Sequence, residues 1–275
     1  MSADDLRALL AADHVTHVPG IYDPATAALA VRAGHRAVHL SGAAVAALSL
    51  SRPDLGFVPP SQLADRATTL VPELSGVPLL ADADGADPQP LHAVWTAWAY
   101  VRAGISGLIL DDGAQPGLAA AKVAALVTQV PEVAVIAKTS GYATSGLPTV
   151  IERCRAYAGA GADAVFPEGL DRLDDLAKLR QALPKVPIVV SRSEAAATRV
   201  PASDADLAAV GVRLILHPLS AALAALRAVS LTYRAILDEG DAGPVDRLPW
   251  AAFTTLVRPE EKTPDARYVP NRLET

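Results

Sequence analysis

Eight short apolar runs recur along this chain, and each ends in a polar cluster. The runs are Val15–Val18, Ala37–Leu40, Val77–Ala81, Gly107–Leu110, Val133–Ala137, Ala162–Phe166, Val186–Val190 and Arg213–Leu216. Behind them stand Tyr22-Asp23, Ser41-Gly42, Asp82-Ala83-Asp84, Asp111-Asp112, Lys138-Thr139-Ser140, Glu168, Ser191-Arg192-Ser193-Glu194 and His217. The runs are apolar throughout rather than alternating, as expected of strands covered on both faces. Between them lie Ala- and Leu-rich segments with helical spacing: Pro24–Gly34, Gln89–Gly104, Leu147–Gly161, Leu170–Leu183, Ser203–Val210 and Ser220–Glu239. Strand alternating with helix implies parallel strands joined by crossover helices.

Eight such units in 275 residues match one (β/α)8 TIM barrel. The predicted barrel domain covers residues 1–240. After Gly240 the pattern stops, and residues 241–275, rich in Pro and charge, form a C-terminal tail. Its isolated Trp250, Phe253 and Tyr268 suit either a disordered end or an anchor on a neighbouring subunit. A doubly wound open sheet is the rival architecture. It usually carries a glycine-rich phosphate turn after its first strand, whereas this chain has Pro19-Gly20-Ile21-Tyr22-Asp23-Pro24 there. In a barrel all eight polar clusters converge on one rim, the end where barrel enzymes keep their chemistry.

Composition narrows the setting. Apolar residues make up 51% of the chain, enough for a large core. A net charge of −6 argues against nucleic acid or an anionic membrane as partner. The single cysteine, Cys154, excludes an intramolecular disulfide and a Cys-based zinc cluster; it lies within a helix and reads as a buried, inert thiol. The start, Met1-Ser2-Ala3-Asp4-Asp5, lacks the pattern of a signal peptide. No apolar stretch reaches spanning length without a Gly, Pro or charge. A cytoplasmic protein is expected.

Asp82 and Asp84 are two apart on an extended segment and so face one spot. Asp111-Asp112 ends the next strand. Carboxylates gathered without His or Cys form an all-oxygen site suited to Mg²⁺ or Mn²⁺; the competing reading is helix-capping aspartates. Ser41-Gly42-Ala43-Ala44-Val45-Ala46 reads as a small-residue loop whose N–H groups can approach an anion. Lys138 is placed to hold a substrate carboxylate or a developing enolate oxygen. Glu168 is placed to position water or a substrate hydroxyl. Arg192, Ser193 and His217 are candidate rim hydrogen-bonders.

From about residue 15 to about 240 the chain resembles the isocitrate lyase/phosphoenolpyruvate mutase superfamily, particularly its methylisocitrate lyase branch. The resemblance rests on Ala33-Gly34, Leu40-Ser41-Gly42, Pro53-Asp54-Leu55-Gly56 and Leu80-Ala81-Asp82-Ala83-Asp84. It continues through Asp111-Asp112, Ala137-Lys138-Thr139, Phe166-Pro167-Glu168 and His217-Pro218-Leu219-Ser220. It implies a barrel, often with the last helix exchanged in a dimer of dimers, and Mg²⁺-dependent chemistry on 2-oxo acids or pyruvate enolates. By it, Ser41 and Gly42 hold a substrate carboxylate or oxo group. Asp54 and Asp82 lie in the Mg²⁺ surroundings, Asp84 is nearest the metal, and Asp111 stands where the family usually has Glu. The candidate metal ligands are therefore Asp82, Asp84 and Asp111. Lys138, Glu168 and Asp54 form the candidate catalytic set. Tyr22, Ser41, Gly42, Ser191, Arg192, Ser193 and His217 are the candidate substrate binders.

The departures are as informative. The lyases carry a mobile loop after the fourth strand whose cysteine acts as acid or base; here Asp112 leads through Gly113-Ala114-Gln115-Pro116-Gly117 straight into a helix. Lys138 replaces an arginine, Ser140 an aspartate and Ser191 an asparagine. Decarboxylation of a β-keto acid asks less of the protein than cleavage of a 2-hydroxy acid. The leading expectation is a Mg²⁺-dependent carbon–carbon lyase or decarboxylase, acting on a small 2-oxo acid through a pyruvate-enolate-like intermediate. Phosphoenolpyruvate-mutase or phosphonopyruvate-hydrolase-like P–C chemistry, a Schiff-base aldolase through Lys138, and a catalytically degenerate binding barrel remain open. The expected partners are a small carboxylic acid and further copies of the chain, with neither nucleic acid nor membrane.

Overall fold

In a computed structural model, which describes residues 2–83, 89–113, 115–192, 202–243 and 245–257, the apolar runs close into a barrel. Its staves are β1 (Thr16–Ile21), β2 (Val38–Leu40), β3 (Leu79–Asp82), β4 (Gly107–Asp111), β5 (Ala134–Thr139), β6 (Ala164–Pro167), β7 (Ile188–Ser191) and β8 (Val212–His217). They pair in sequence order, all parallel, and β8 returns to β1 with Thr16 opposite Leu214 and His17 opposite Ile215. The rival open sheet is excluded.

The helices are α1 (Ala3–Ala11) before β1, α2 (Pro24–Arg32) after it, then α3 (Gly42–Leu50), α4 (Pro60–Leu70) and a 3-10 turn, Val71–Leu74, between β2 and β3. α5 (Pro90–Arg102), α6 (Pro116–Gln129), α7 (Tyr142–Gly159), α8 (Leu173–Ala182), α9 (Asp204–Ala209) and α10 (Ser220–Glu239) each follow one strand, and α11 (Trp250–Leu256) lies in the tail. Sequence chemistry sets several boundaries. Asp23 caps α2 by accepting from the Thr26 N–H at 2.7 Å, with Pro24 at the first helical position. Gly104 takes φ 85°, ending α5 as Arg102-Ala103-Gly104 suggests. Gly146 (φ 74°, ψ 174°) breaks α7 just before Leu147-Pro148, where the main segment starts.

One segment differs from expectation, and two others contain helices the sequence pattern did not single out. Ser41–Ala46 is not a loop: Ser41 is the N-cap of α3. Small residues hide this helix, which has no apolar stripe because it is buried on several sides. The N-terminal segment is helical, capped reciprocally by Ser2 and Asp5. Within the tail, α11 packs beside α2, and Arg32 Nη2 donates to the Thr255 carbonyl at 3.0 Å.

Two apolar layers result. Alternate strand residues, including Val18, Leu80, Ile109, Ile136, Phe166, Val189 and Leu216, fill the barrel. The intervening ones, among them Leu79, Leu108, Val135, Val165 and Ile215, pack with the surrounding helices. Each fully buried side chain of this size contributes about 1.5–3 kcal/mol. The N-terminal end is stopped by α1, whose Leu6, Leu9 and Leu10 join the inner layer. Gly107, at the start of β4, admits Leu6: a Cβ there would collide with the Leu6 side chain. The longest helix, α10, buries only Ala222 and Ala235. By length and composition alone it could cross a bilayer, although it carries Arg227 and Arg234.

Candidate active site

The inside-facing alternation that packs the barrel also builds its C-terminal mouth. One step of two residues beyond Leu80, Ile109, Ile136 and Phe166 come Asp82, Asp111, Lys138 and Glu168. Asp111 and Lys138 are register partners on β4 and β5. Lys138 Nζ lies 3.0 Å from Asp111 Oδ2 and 3.4 Å from Glu168 Oε2. The Ser140 hydroxyl ties the same two acids, donating to Glu168 Oε2 at 2.7 Å and lying 3.3 Å from Asp111 Oδ2. The Gly113 N–H occupies Asp111 Oδ1 at 2.7 Å.

Asp82 is held from the other side. Its Oδ1 accepts from His39 Nε2 at 2.9 Å and its Oδ2 from the Gly42 N–H at 2.8 Å. That second bond comes from the first turn of α3, where N–H groups lack helical partners. Burial alone would raise the Asp82 carboxyl; the His39 imidazole, the Lys138 ammonium and the Gly42 N–H together hold it below the usual carboxylate range. Asp54, between α3 and α4, faces the same spot. A Cβ on Gly42 would stand 3.5 Å from Asp82 Oδ2 and 3.9 Å from Asp54 Oδ1. Withdrawal from water, then Asp82, push the Asp54 carboxyl up, with Glu168 and Asp111 adding to it and Lys138 opposing. A cleft of about 460 Å³, lined by Asp54, Gly56, Ala83, Asp111, Gln115 and Lys138 among others, opens over this cluster, a volume typical of small-ligand sites.

Not every candidate joins it. Asp112 borders the cleft, but its side chain turns to the outer face, because consecutive strand residues alternate; Arg153 Nη1 at 3.0 Å and the Tyr157 hydroxyl at 2.8 Å hold its Oδ2. The expectation that both acids of Asp111-Asp112 face the centre is therefore corrected. Ser41 is buried and its hydroxyl accepts from the Ala44 N–H at 3.4 Å. Tyr22 stands on the rim, its carbonyl accepting from Arg66 Nη1 at 2.9 Å. Ser191 ends β7. Arg192 and His217 gather outside the sheet: Arg192 Nη2 lies 3.8 Å from Asp204 Oδ1, and His217 Nε2 lies 2.9 Å from His17 Nδ1. Asp84 and Ser193 fall outside the described residues. His39 escaped the sequence reading, although it sits two residues before Ser41 on the inward face. Cys154 is buried, and burial followed by Asp112 pushes its thiol up to about 12.

Among the described residues, no three His, Cys, Asp or Glu side chains are grouped tightly enough to hold one metal ion directly. The donor set is nonetheless all oxygen at the mouth, and Mg²⁺ keeps several waters while using only one or two carboxylates. Burial is the main cause of the raised Asp54 carboxyl, but Asp82, Glu168 and Asp111 add to it, and a divalent ion would relieve that added repulsion. These residues fit Mg²⁺ or Mn²⁺.

Comparison with known proteins agrees with this fold. The family model described as phosphoenolpyruvate phosphomutase matches residues 6–237. The chain is 33% identical over 253 residues to the 2-methylisocitrate lyase of Escherichia coli (strain K12), covering 85% of this chain and 84% of that one. Among solved structures, a 2,3-dimethylmalate lyase superposes with a TM-score of 0.85 at 26% identity, covering 93% of this chain and 94% of that one. An oxaloacetate acetylhydrolase in complex with the product oxalate gives 0.85 at 25% identity, covering 92% and 93%.

Proposed function

The chain belongs to the phosphoenolpyruvate phosphomutase family, and on that premise we propose that it is a Mg²⁺-dependent carbon–carbon lyase or decarboxylase acting on a small 2-oxo acid. The observation that carries this reading is the placement of Lys138 Nζ between Asp111 and Glu168 at the mouth of an open cleft.

Lys138 is positioned to hold a carboxylate of the acid, or the oxygen that becomes negative as the carbon–carbon bond breaks. Asp111, Glu168 and Ser140 fix its ammonium group. Asp84, Asp111 and Asp82 would hold Mg²⁺ (or Mn²⁺), with Asp82 anchored by His39 and Gly42. A bound ion of this kind supplies an electron sink at the 2-oxo oxygen. The chain's sole cysteine is buried with a raised pKa, so no thiol serves as acid or base. Water entering the cleft protonates the enolate carbon. A β-keto dicarboxylate thus yields CO₂ and a 2-oxo monocarboxylate, the added proton replacing the lost carboxylate. Exposed apolar side chains along α10 (Leu223, Leu226, Val229, Tyr233, Ile236 and Leu237) support assembly with further copies of the chain as a dimer or dimer of dimers.

The test is release of CO₂ and pyruvate from oxaloacetate and related acids. It is expected to require Mg²⁺ or Mn²⁺, to stop with EDTA, and to be abolished by Asp84→Ala. No turnover across a panel of such acids, with the metal bound, removes the proposal. P–C bond chemistry needs cations around a migrating phosphoryl group. Arg192, turned toward Asp204, does not add to Lys138 in this respect, and phosphorus NMR on phosphonopyruvate separates the two reactions.

A further inference from the structure

A second cleft, of about 380 Å³, opens at the opposite end of the barrel. Arg7, Asp163, Arg180, Lys185 and Arg213 line it, beside Leu10 of α1. Four cations there face one carboxylate, in a chain whose net charge is −6. Arg7 and Asp163 satisfy each other: Arg7 Nε donates to Asp163 Oδ1 at 2.8 Å, and the Val135 N–H takes Oδ2 at 2.8 Å. The rest of the Arg7 guanidinium donates to Asp4 and to the Pro131 and Val133 carbonyls.

The other three cations are differently placed. Among the described residues, none of Arg180, Lys185 and Arg213 has a carboxylate oxygen within 4.0 Å. Both arginines are anchored by backbone carbonyls through one nitrogen. Arg213 Nη1 donates to Ala208 and Val212 at 2.9 Å each, and Arg180 Nη1 to Val186 at 3.3 Å. Gly211, at φ 88°, lets Arg180 lie across the chain; a Cβ there would stand 2.8 Å from its Cδ and 3.0 Å from its Nε. Burial and then the neighbouring Arg180 push Arg213 down from its usual range, with Asp13 partly offsetting them.

Like charges held together in a partly buried cleft are stabilised by a counter-charge. Arginine forks offer paired N–H donors matched to phosphate or carboxylate oxygens. We propose that Arg180, Lys185 and Arg213 form a binding site for a small, multiply charged oxyanion, separate from the reaction mouth. Phosphoryl and polycarboxylate ligands share this chemistry.

Titration calorimetry of the full chain in metal-free, low-salt buffer tests the site, with pyrophosphate in one arm and citrate in the other. Saturable binding of one anion per chain by either probe is expected, and the tighter arm identifies the ligand class. Arg180→Gln with Lys185→Gln should weaken it at least tenfold, about 1.4 kcal/mol, while Lys138→Met at the far mouth leaves it unchanged. Lys185→Glu alone, at an exposed position, should also weaken it and guards against misfolding of the double variant. Absence of saturable binding by both anions, or binding that survives the cleft substitutions, overturns the proposal.

Discussion

His39 Nε2 donates to Asp82 Oδ1 at 2.9 Å from one layer deeper in the barrel, since the register partner of His39 is Leu80. With the Gly42 N–H on the second oxygen, the carboxylate is fixed at both atoms. His39→Leu removes one charge-assisted bond and is expected to cost about 2–3 kcal/mol, read by urea denaturation at pH 7. The folded Asp82 carboxyl lies below its ordinary value of 3.8. Its contribution is therefore complete above that value and is lost as pH falls through the lower folded one. The gap between wild type and His39→Leu should narrow in strong acid. An unchanged gap would place the loss elsewhere.

Asp54 has the opposite sign. Its folded carboxyl is raised above 3.8, so ionising it opposes folding once pH exceeds both values. Asp54→Asn should raise the melting temperature of the metal-free protein at pH 7. No gain is expected below pH 3.8, where the wild-type carboxyl is also neutral. Melting curves at the two pH values decide this, and added Mg²⁺ should shrink the difference by offsetting the repulsion from Asp82, Glu168 and Asp111, although not the burial that contributes most.

Lys138→Met should lower the rate of CO₂ release by about 10²–10³-fold, the scale of losing one positioned electrostatic group. The fold should survive, because the side chain lies at the mouth rather than in the packed interior. Lys138→Arg should recover part of the rate. Equal rates in wild type and Lys138→Met would remove the lysine from the mechanism.

Gly107→Ala pushes a methyl group into the space filled by Leu6. A destabilisation of about 1–3 kcal/mol is expected from overpacking. Leu6→Ala in the same background should relieve part of that cost, so the two changes will not add. Additive losses in a double-mutant cycle would mean the two sites are not in contact.

Thiol reagents should leave the native chain unlabelled and its turnover intact, since Cys154 is buried with its thiol raised to about 12. Cys154→Ala should retain the rate. Inactivation by a thiol reagent under native conditions would contradict the assignment.

The barrel was legible because apolar period and length are both coarse, redundant signals: eight runs survived small boundary errors such as β8 starting at Val212. α3 was not legible, because Gly42, Ala44, Val45 and Ala46 are all buried and leave no polar stripe to reveal a helical period. α1 carried a readable mark in Ser2-Ala3-Asp4-Asp5 followed by Leu6, Leu9 and Leu10. At the mouth, residues in strand-end clusters were easy to nominate, but which way each one turns depends on strand parity. Parity brings Asp82, Asp111, Lys138 and Glu168 together and carries Asp112 and His217 away. Applied to β2, it would have found His39.

The stopper formed by Leu6, Leu9 and Leu10 gives the barrel a closed floor. With that floor closed and Val18, Leu80, Ile109, Ile136 and Phe166 filling the interior, a substrate of the proposed reaction would meet the protein at the opposite end, beside Lys138 and the acids around it.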